Sequence, residues 1–213
     1  MKKLNIIYED KELLVIDKPS NVLTISTDKN KYNTLYHEVR EYIRKKNQKV
    51  FIVNRLDKDT SGIVLFAKNE RLKLALQGSW NNIAKRYYLA IVEGKLEKKE
   101  ATLKHYLKES STLQVYVAES GKQAILKYKV INEQSKYSLL DIEIKSGRKN
   151  QIRCQLDFIG HPIIGDKKYN SKVNPINRLG LHAYKMVLKN PLNNKTYEFV
   201  SKMPKTFEKF SKN

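Results

Sequence analysis

The stretch that most constrains this chain is Phe51-Ile-Val-Asn-Arg-Leu-Asp-Lys-Asp-Thr-Ser-Gly-Ile-Val-Leu-Phe-Ala-Lys68. Residues 51–53 are apolar and β-prone, and residues 63–67 form a continuous apolar run of the kind found in buried strands. Between them, residues 57–62 are a dense cluster of turn formers. The stretch reads as strand, turn, strand, and the turn presents Arg55 and Asp57. A carboxylate held rigidly at the lip of a sheet suits a nucleophile or a base. Local features alone favour a plainer hairpin whose Asp caps its own backbone, because Asp-rich turns are common.

With 213 residues, the chain suits one catalytic domain, or at most a domain with a small appendage. A hydrophobic content of 40% with distinct apolar runs is enough for a core. The formal net charge of +20 favours a polyanionic partner, nucleic acid ahead of an anionic membrane. General lysine decoration of the surface is the plain alternative. The single cysteine, Cys154, excludes an internal disulfide framework and a cysteine-based zinc site. The N-terminus starts basic, but Glu9-Asp10 cuts its apolar run after a few residues, so no signal peptide is expected. No stretch approaches the ~20 apolar residues of a membrane span. The expectation is a soluble cytoplasmic protein.

Along the chain, residues 5–8 and 13–16 read as two strands joined by a polar turn, ended by Pro19. Residues 34–46 suit a helix with Thr34 as N-cap, and residues 69–83 a second helix opened by Asn69. A strand follows from Tyr87 to Gly94. Alternation puts Tyr87 and Tyr88 on opposite faces of it. Residues 101–105, 113–117, 124–131 and 137–144 are strand candidates with short polar spacers, read as an antiparallel meander. Residues 149–159 suit a helix ended by Gly160, with Arg148 and Arg153 near its start. Asn193-Asn194 reads as a hairpin tip. No repeat or composition break divides the chain, so a single domain over 1–213 is the economical expectation.

Three of these stretches, in order, resemble the motifs of the RluA family of RNA pseudouridine synthases. Asn54-Arg-Leu-Asp57-x-x-Thr60-Ser61-Gly62, then Ala67-Lys68, is similar to the family's His-Arg-Leu-Asp-x-x-Thr-Ser-Gly motif. Arg86-x-Tyr88, with Gly94 six residues after the tyrosine, resembles the second motif. Gly147-Arg148-x-Asn150-Gln151-Ile-Arg153-x-Gln155, continuing through Gly160-x-Pro162-Ile-x-Gly165-Asp166 to Tyr169, resembles the third. The opening Tyr8-Glu-Asp10 and Lys18-Pro19, and the closing 178–184, Asn190-Pro191 and Met203-Pro204, also match, so the resemblance covers nearly the whole chain. An ordered set of motifs is far more specific than any one of them. Three positions depart from the pattern: Asn54, Asn150 and Gln155 stand where the family has His. Amides keep hydrogen bonds but cannot titrate.

The resemblance implies an α+β pseudouridine synthase catalytic fold, with a long mixed, mainly antiparallel sheet flanked by helices and a central cleft. It implies one catalytic domain without the N-terminal S4 domain that many members carry. Asp57 is then the catalytic carboxylate. Adding to uracil C6, adding to ribose C1′, or assisting glycal formation by taking the C2′ proton all remain open to it. Arg153 would pair with it and keep it ionised, since a nearby arginine lowers an Asp pKa by about 1–3 units. Tyr88 would stack on the extruded base and could help remove its C5 proton. Asn54, Arg55, Arg86, Arg148 and Gln151 are the substrate-binding candidates, and Gly165-Asp166 reads as a turn that fixes the fold. Neither cofactor nor metal is implied. The partner is structured RNA, ribosomal or transfer, with no membrane, and the protein acts as a monomer. Two other readings stand beside it: a non-catalytic RNA-binding or RNA-chaperone protein on the same fold, and an unrelated acid–base hydrolase using Asp57 with Asp59 or Asp166.

Overall fold

The computed structural model describes residues 4–26 and 32–212. The chain opens with a hairpin of β1 (Ile6–Glu9) and β2 (Leu13–Lys18). Its turn is closed by Asp10, whose Oδ1 accepts the backbone N–H groups of Glu12 and Leu13 at 2.7 and 2.6 Å. Helix α1 (Leu35–Arg44) begins where the sequence places it: Thr34 is extended and its side chain accepts from the His37 N–H. Strands β3 (Phe51–Ile52) and β4 (Ser61–Ala67) flank the Asp57 turn. Helix α2 (Glu70–Gly78) is capped by Asn69, whose Oδ1 accepts from the Leu72 N–H at 2.8 Å. The single helix expected to Ile83 is broken, however. Ser79 leaves the helical region (φ −122°, ψ 12°) and a short α3 (Trp80–Ile83) follows. Gly78-Ser79 pairs two poor helix formers, so the break falls where propagation is weakest.

The chain continues through β5 (Ala84–Glu93), β6 (Glu100–Glu109), β7 (Val115–Ala118), β8 (Lys122–Glu133) and β9 (Tyr137–Ile144). Then come α4 (Gln151–Phe158), β10 (Leu181–Lys189), β11 (Thr196–Val200) and the short α5 (Lys205–Glu208). The class is α+β with mainly antiparallel pairing, as expected. Among the described residues, no helix is long and apolar enough to cross a membrane.

The described residues pack as two compact units: residues up to Ala84 with Ala183–Lys202, and Lys85–His182 with Met203 onward. In the first unit β4 is the central strand, buried along its whole length. It pairs with β2 along one edge (Leu13↔Ala67 to Lys18↔Gly62), and β3 and β10 share the other, with β11 beyond β10. Helices cover both faces of β4. Leu72 and Leu76 of α2 join Ile63, Leu65, Met186, Leu188 and Phe199 in one core. On the opposite face the Tyr36 ring of α1 stacks on Phe66, centroids 6.4 Å apart. Each fully buried aliphatic side chain of this kind contributes roughly 1.5–3 kcal/mol. Gly62 (φ +112°) is required at the start of β4: a Cβ there would lie 2.1 Å from the Ala183 carbonyl oxygen.

In the second unit the strand order is β5-β9-β8-β6-β7. This corrects the meander expectation. The four-residue β7 lies at the edge of β6, and the chain then crosses so that β8 pairs with β6's other edge over eight positions (Glu100↔Lys129 to Leu107↔Lys122). The long β8 finds in the ten-residue β6 a partner that short β7 cannot be. The crossing point needs Gly121 (φ +143°), where a Cβ would meet the Leu107 carbonyl oxygen at 2.6 Å. One face of this sheet packs under α4, where Leu107, Val115, Ala124, Cys154 and Tyr169 cluster. Burial pushes the Cys154 thiol up to about 11.

Candidate functional site

The Asp57 loop belongs to the first unit, and side chains from earlier in the chain hold it by its backbone. Thr24 Oγ1 donates to the Leu56 carbonyl at 2.7 Å and accepts from the Leu56 N–H at 3.2 Å. Ser20 Oγ donates to the Asp59 carbonyl at 2.6 Å. Lys18 is fully buried, and its Nζ donates to the carbonyls of Lys58 (3.0 Å), Pro19 (3.0 Å) and Val22 (2.7 Å). The Thr60 N–H closes the turn on the Asp57 carbonyl at 3.2 Å. Thr24 is itself tied to α1, because its carbonyl accepts the Tyr36 N–H at 3.0 Å. The backbone of residues 56–60 is therefore fixed by hydrogen bonds from Lys18, Ser20 and Thr24. Asp57 is half-buried and Arg55 is exposed. The residues that sequence reasoning missed are Lys18, Ser20 and Thr24. For Lys18 and Ser20 the signal lay in the Lys-Pro-Ser stretch, read as the end of a hairpin and as part of the family's opening pattern, with no role given to either side chain.

Asn54 is built into the same scaffold. Its Oδ1 accepts the Leu65 N–H at 2.8 Å, and its Nδ2 lies 3.4 Å from the Ile63 carbonyl. The side chain thus serves β4 where β3 has ended. Position 54 needs an acceptor facing Leu65, which an amide provides as well as a neutral imidazole nitrogen.

The second unit holds the other candidates. Arg153, on α4, meets Asp166 through two parallel hydrogen bonds, Nε to Oδ2 at 2.7 Å and Nη2 to Oδ1 at 2.8 Å. Both side chains are buried. Asp166 Oδ1 also accepts the N–H groups of Lys168 and Tyr169 at 3.1 and 3.2 Å. Gly165-Asp166 is thus a fold-fixing turn, and its carboxylate also orients the arginine. The Tyr169 ring lies 5.2 Å from the guanidinium carbon, and its hydroxyl donates to the Val115 carbonyl at 3.2 Å. Burial holds that phenol at about 12. Asn150, in the left-handed region (φ +50°) that asparagine tolerates, accepts from Arg153 Nη1 at 3.3 Å.

Gln151 is the first residue of α4. Its Oε1 accepts from Ser146 Oγ (2.9 Å) and the Arg148 N–H (3.1 Å), and its Nε2 donates to the Ile125 carbonyl (3.1 Å). Its amide shapes the turn before α4. Exposed Arg148 donates through Nε to the Gln123 carbonyl at 3.0 Å. Gln155, fully buried, spends its amide N–H groups on the carbonyls of Leu103 and Ala124 (3.4 and 3.3 Å) and on His105 Nδ1 (3.1 Å). All three amides that depart from the family's histidines therefore make hydrogen bonds, Gln155 through its Nε2 alone, its buried Oε1 having no partner among the described residues. On β5, Arg86 and Tyr88 are both buried, and burial lowers the pKa of Arg86. Arg86 packs over Gly147, where a Cβ would fall 2.8 Å from its Nη1.

The comparisons with known proteins converge. The model of the RNA pseudouridylate synthase family matches residues 12–158. The chain is 34% identical over 212 residues to an uncharacterized RNA pseudouridine synthase of Mycoplasma pneumoniae, covering 96% of this chain and 68% of that protein. It is 33% identical over 218 residues to the ribosomal large subunit pseudouridine synthase D of Nitrosomonas europaea, covering 94% of this chain and 62% of that one. The chain thus spans about two thirds of the length of the curated relatives it matches. Among solved structures, human RNA pseudouridylate synthase domain containing 1 superposes with a TM-score of 0.80 at 21% identity, covering 95% of this chain and 84% of that chain. That likeness is one of fold. With the family model matching well over half of its residues, the chain belongs to the RNA pseudouridylate synthase family, a family of isomerases.

Proposed function

We propose that this chain converts uridine to pseudouridine in structured RNA, with Asp57 as the catalytic carboxylate. The observation that carries the reading is the Asp57 turn itself. It has the family's motif, and Lys18, Ser20 and Thr24 pin its backbone from outside the turn. Such anchoring holds the backbone beneath a reacting group in one geometry.

The reaction breaks the N1–C1′ glycosidic bond and forms C5–C1′. The base loses the C5 proton and gains one at N1, so atoms balance without a co-reactant. Asp57 acts as the ionised carboxylate. Tyr88 supplies the aromatic surface for the base, and Arg153, oriented by Asp166, supplies the guanidinium. Arg55, Arg86 and Arg148 are the cations assigned to phosphate and sugar. Asn54 and Gln151 act through the loops they brace. The base must leave its stack first, at a cost of a few kcal/mol. One domain, acting as a monomer in the cytoplasm on ribosomal or transfer RNA, completes the proposal. Relatives named for the large ribosomal subunit favour ribosomal RNA.

The test is pseudouridine mapping across total RNA from strains lacking the gene, or carrying the wild type or Asp57→Asn. Sites formed only with the wild type support the reading and name the target. Wild-type levels with Asp57→Asn would refute the role of Asp57. No differing site in any well-covered RNA would instead indicate a non-catalytic RNA binder.

A further inference from the structure

The sheet of the second unit has a face that the proposed chemistry does not use. On β6, residues alternate strictly. Leu103, His105 and Leu107 point toward the side where α4 packs, and Thr102, Lys104, Tyr106 and Lys108 are all exposed on the other. The registers extend that exposed face. Lys108 sits opposite Tyr116 of β7, and Tyr106 opposite Gln123 of β8. Tyr106 and Tyr116 are 44% and 45% exposed. They occupy diagonal positions roughly 7–8 Å apart, within reach of consecutive flat rings.

The charge on this face is uneven. At one end Glu100 lies opposite Lys129 and is ion-paired with Lys127. At the other end, around Tyr106, the strand neighbours Gln123, Ile125 and Ala118 carry no charge. Among the described residues, Lys104 and Lys108 have no carboxylate partner. Two uncompensated ammonium groups thus frame two exposed aromatic rings on a rigid sheet. Through β9 and β8, Tyr88 of β5 shares the opposite face: it pairs with Ile142, which pairs with Tyr128, which pairs with Ala101.

We propose that the Lys104–Tyr106–Lys108–Tyr116 face binds a single-stranded RNA segment outside the target nucleotide, bases stacking on the tyrosines and phosphates meeting the lysines. The proposal rests on the RNA-directed reading above and adds a second RNA contact to it. Polyanion complementarity selects the partner, and the exposed rings select single strands over duplex, since only unstacked bases offer their faces. Each lysine that neutralises a phosphate adds about 0.7 to the salt slope of binding to a single strand.

The test is fluorescence anisotropy with a short labelled oligouridylate across a salt series. The proteins are full-length wild type, Lys104→Ala/Lys108→Ala, Tyr106→Ala/Tyr116→Ala, Tyr106→Phe/Tyr116→Phe, and a charge-matched control, Lys122→Ala/Lys136→Ala. Thermal melts by circular dichroism verify folding. The lysine pair weakens binding roughly tenfold and lowers the salt slope by about 1.4. The alanine tyrosine pair weakens it at least as much, and the phenylalanine pair retains it. Affinity unchanged in both alanine pairs, or an equal loss in the lysine control, overturns the proposal. So does retained RNA affinity with loss of sedimentation on phosphatidylserine vesicles, which would mark a membrane surface. Asp57→Asn separates this inference from the reading above. A protein that isomerises RNA but binds it independently of this face refutes the inference alone. One that binds through the face but forms no pseudouridine refutes only the activity.

Discussion

The two units hold their candidate catalytic groups by opposite physical means. In the first, the Asp57 turn is gripped through its backbone by one buried ammonium and by hydroxyls from residues 20 and 24. In the second, the Arg153 guanidinium is gripped directly by a buried carboxylate. The bonds from Lys18, Ser20 and Thr24 reach the main chain of that turn. A cation that must orient loses nothing by a bidentate partner, and its planar fork is well suited to one. A functional charge can thus be positioned either by locking the loop beneath it or by locking the group itself. The two devices fail differently when cut.

The largest expected stability effect is at Asp166. Asp166→Ala removes a buried, bidentate partner of Arg153 and should destabilise the protein by about 3–5 kcal/mol, read by denaturant unfolding. Asp166→Asn keeps an acceptor and should lose less. Equal, small losses in both would show that the pair contributes little and would break the comparison.

The next effect is at Lys18. Lys18→Met fills the same volume but withdraws a donor from three carbonyls at once. We expect a loss of about 1–3 kcal/mol, with faster amide exchange in residues 56–60. Unchanged exchange there would mean that Ser20 and Thr24 hold the loop without the ammonium.

The last effect is at Glu9, in the first unit, and is read from the pH dependence of stability. Burial opposes ionisation of its carboxyl, but hydrogen bonds from Lys46, Lys68 and Tyr42 outweigh it and hold the pKa at about 2. The folded value lies below the unfolded one of about 4.5, so this group's contribution is complete above that pH. It is lost as pH falls toward 2. Glu9→Gln should flatten the acid limb of the stability curve in that window. An unchanged limb would show that other carboxylates govern acid unfolding.

Much of this was legible in the residues. Thr34 and Asn69 are caps because their side chains accept N–H groups that a first helical turn leaves unpaired, a local matter. Strand β9 runs from Tyr137 to Ile144, the bounds that its polar spacers predict. The Asp57 turn was visible from its turn formers, and its family from the order of three motifs. Other features were hidden. The split between α2 and α3 turned on two residues of weak propensity. The order β7-β6-β8 depended on which long strand pairs with which, and no single strand records that choice. Asp166 looked like a turn residue because its partner lies on a helix thirteen positions earlier.

The α+β class, the helix starts, the central apolar strand and the motif-bearing turn are all written in the order of residues. These follow from short-range periodicity, capping and turn chemistry. Only the tertiary structure decided what buried Lys18 is for, that Asn54, Asn150 and Gln155 satisfy polar groups where the family has histidines, and that one sheet face carries aligned lysines and tyrosines. Those outcomes depend on groups far apart in the chain meeting at hydrogen-bond distance. Burial sets the cost of leaving such groups unpaired, and burial is a property of the packed fold.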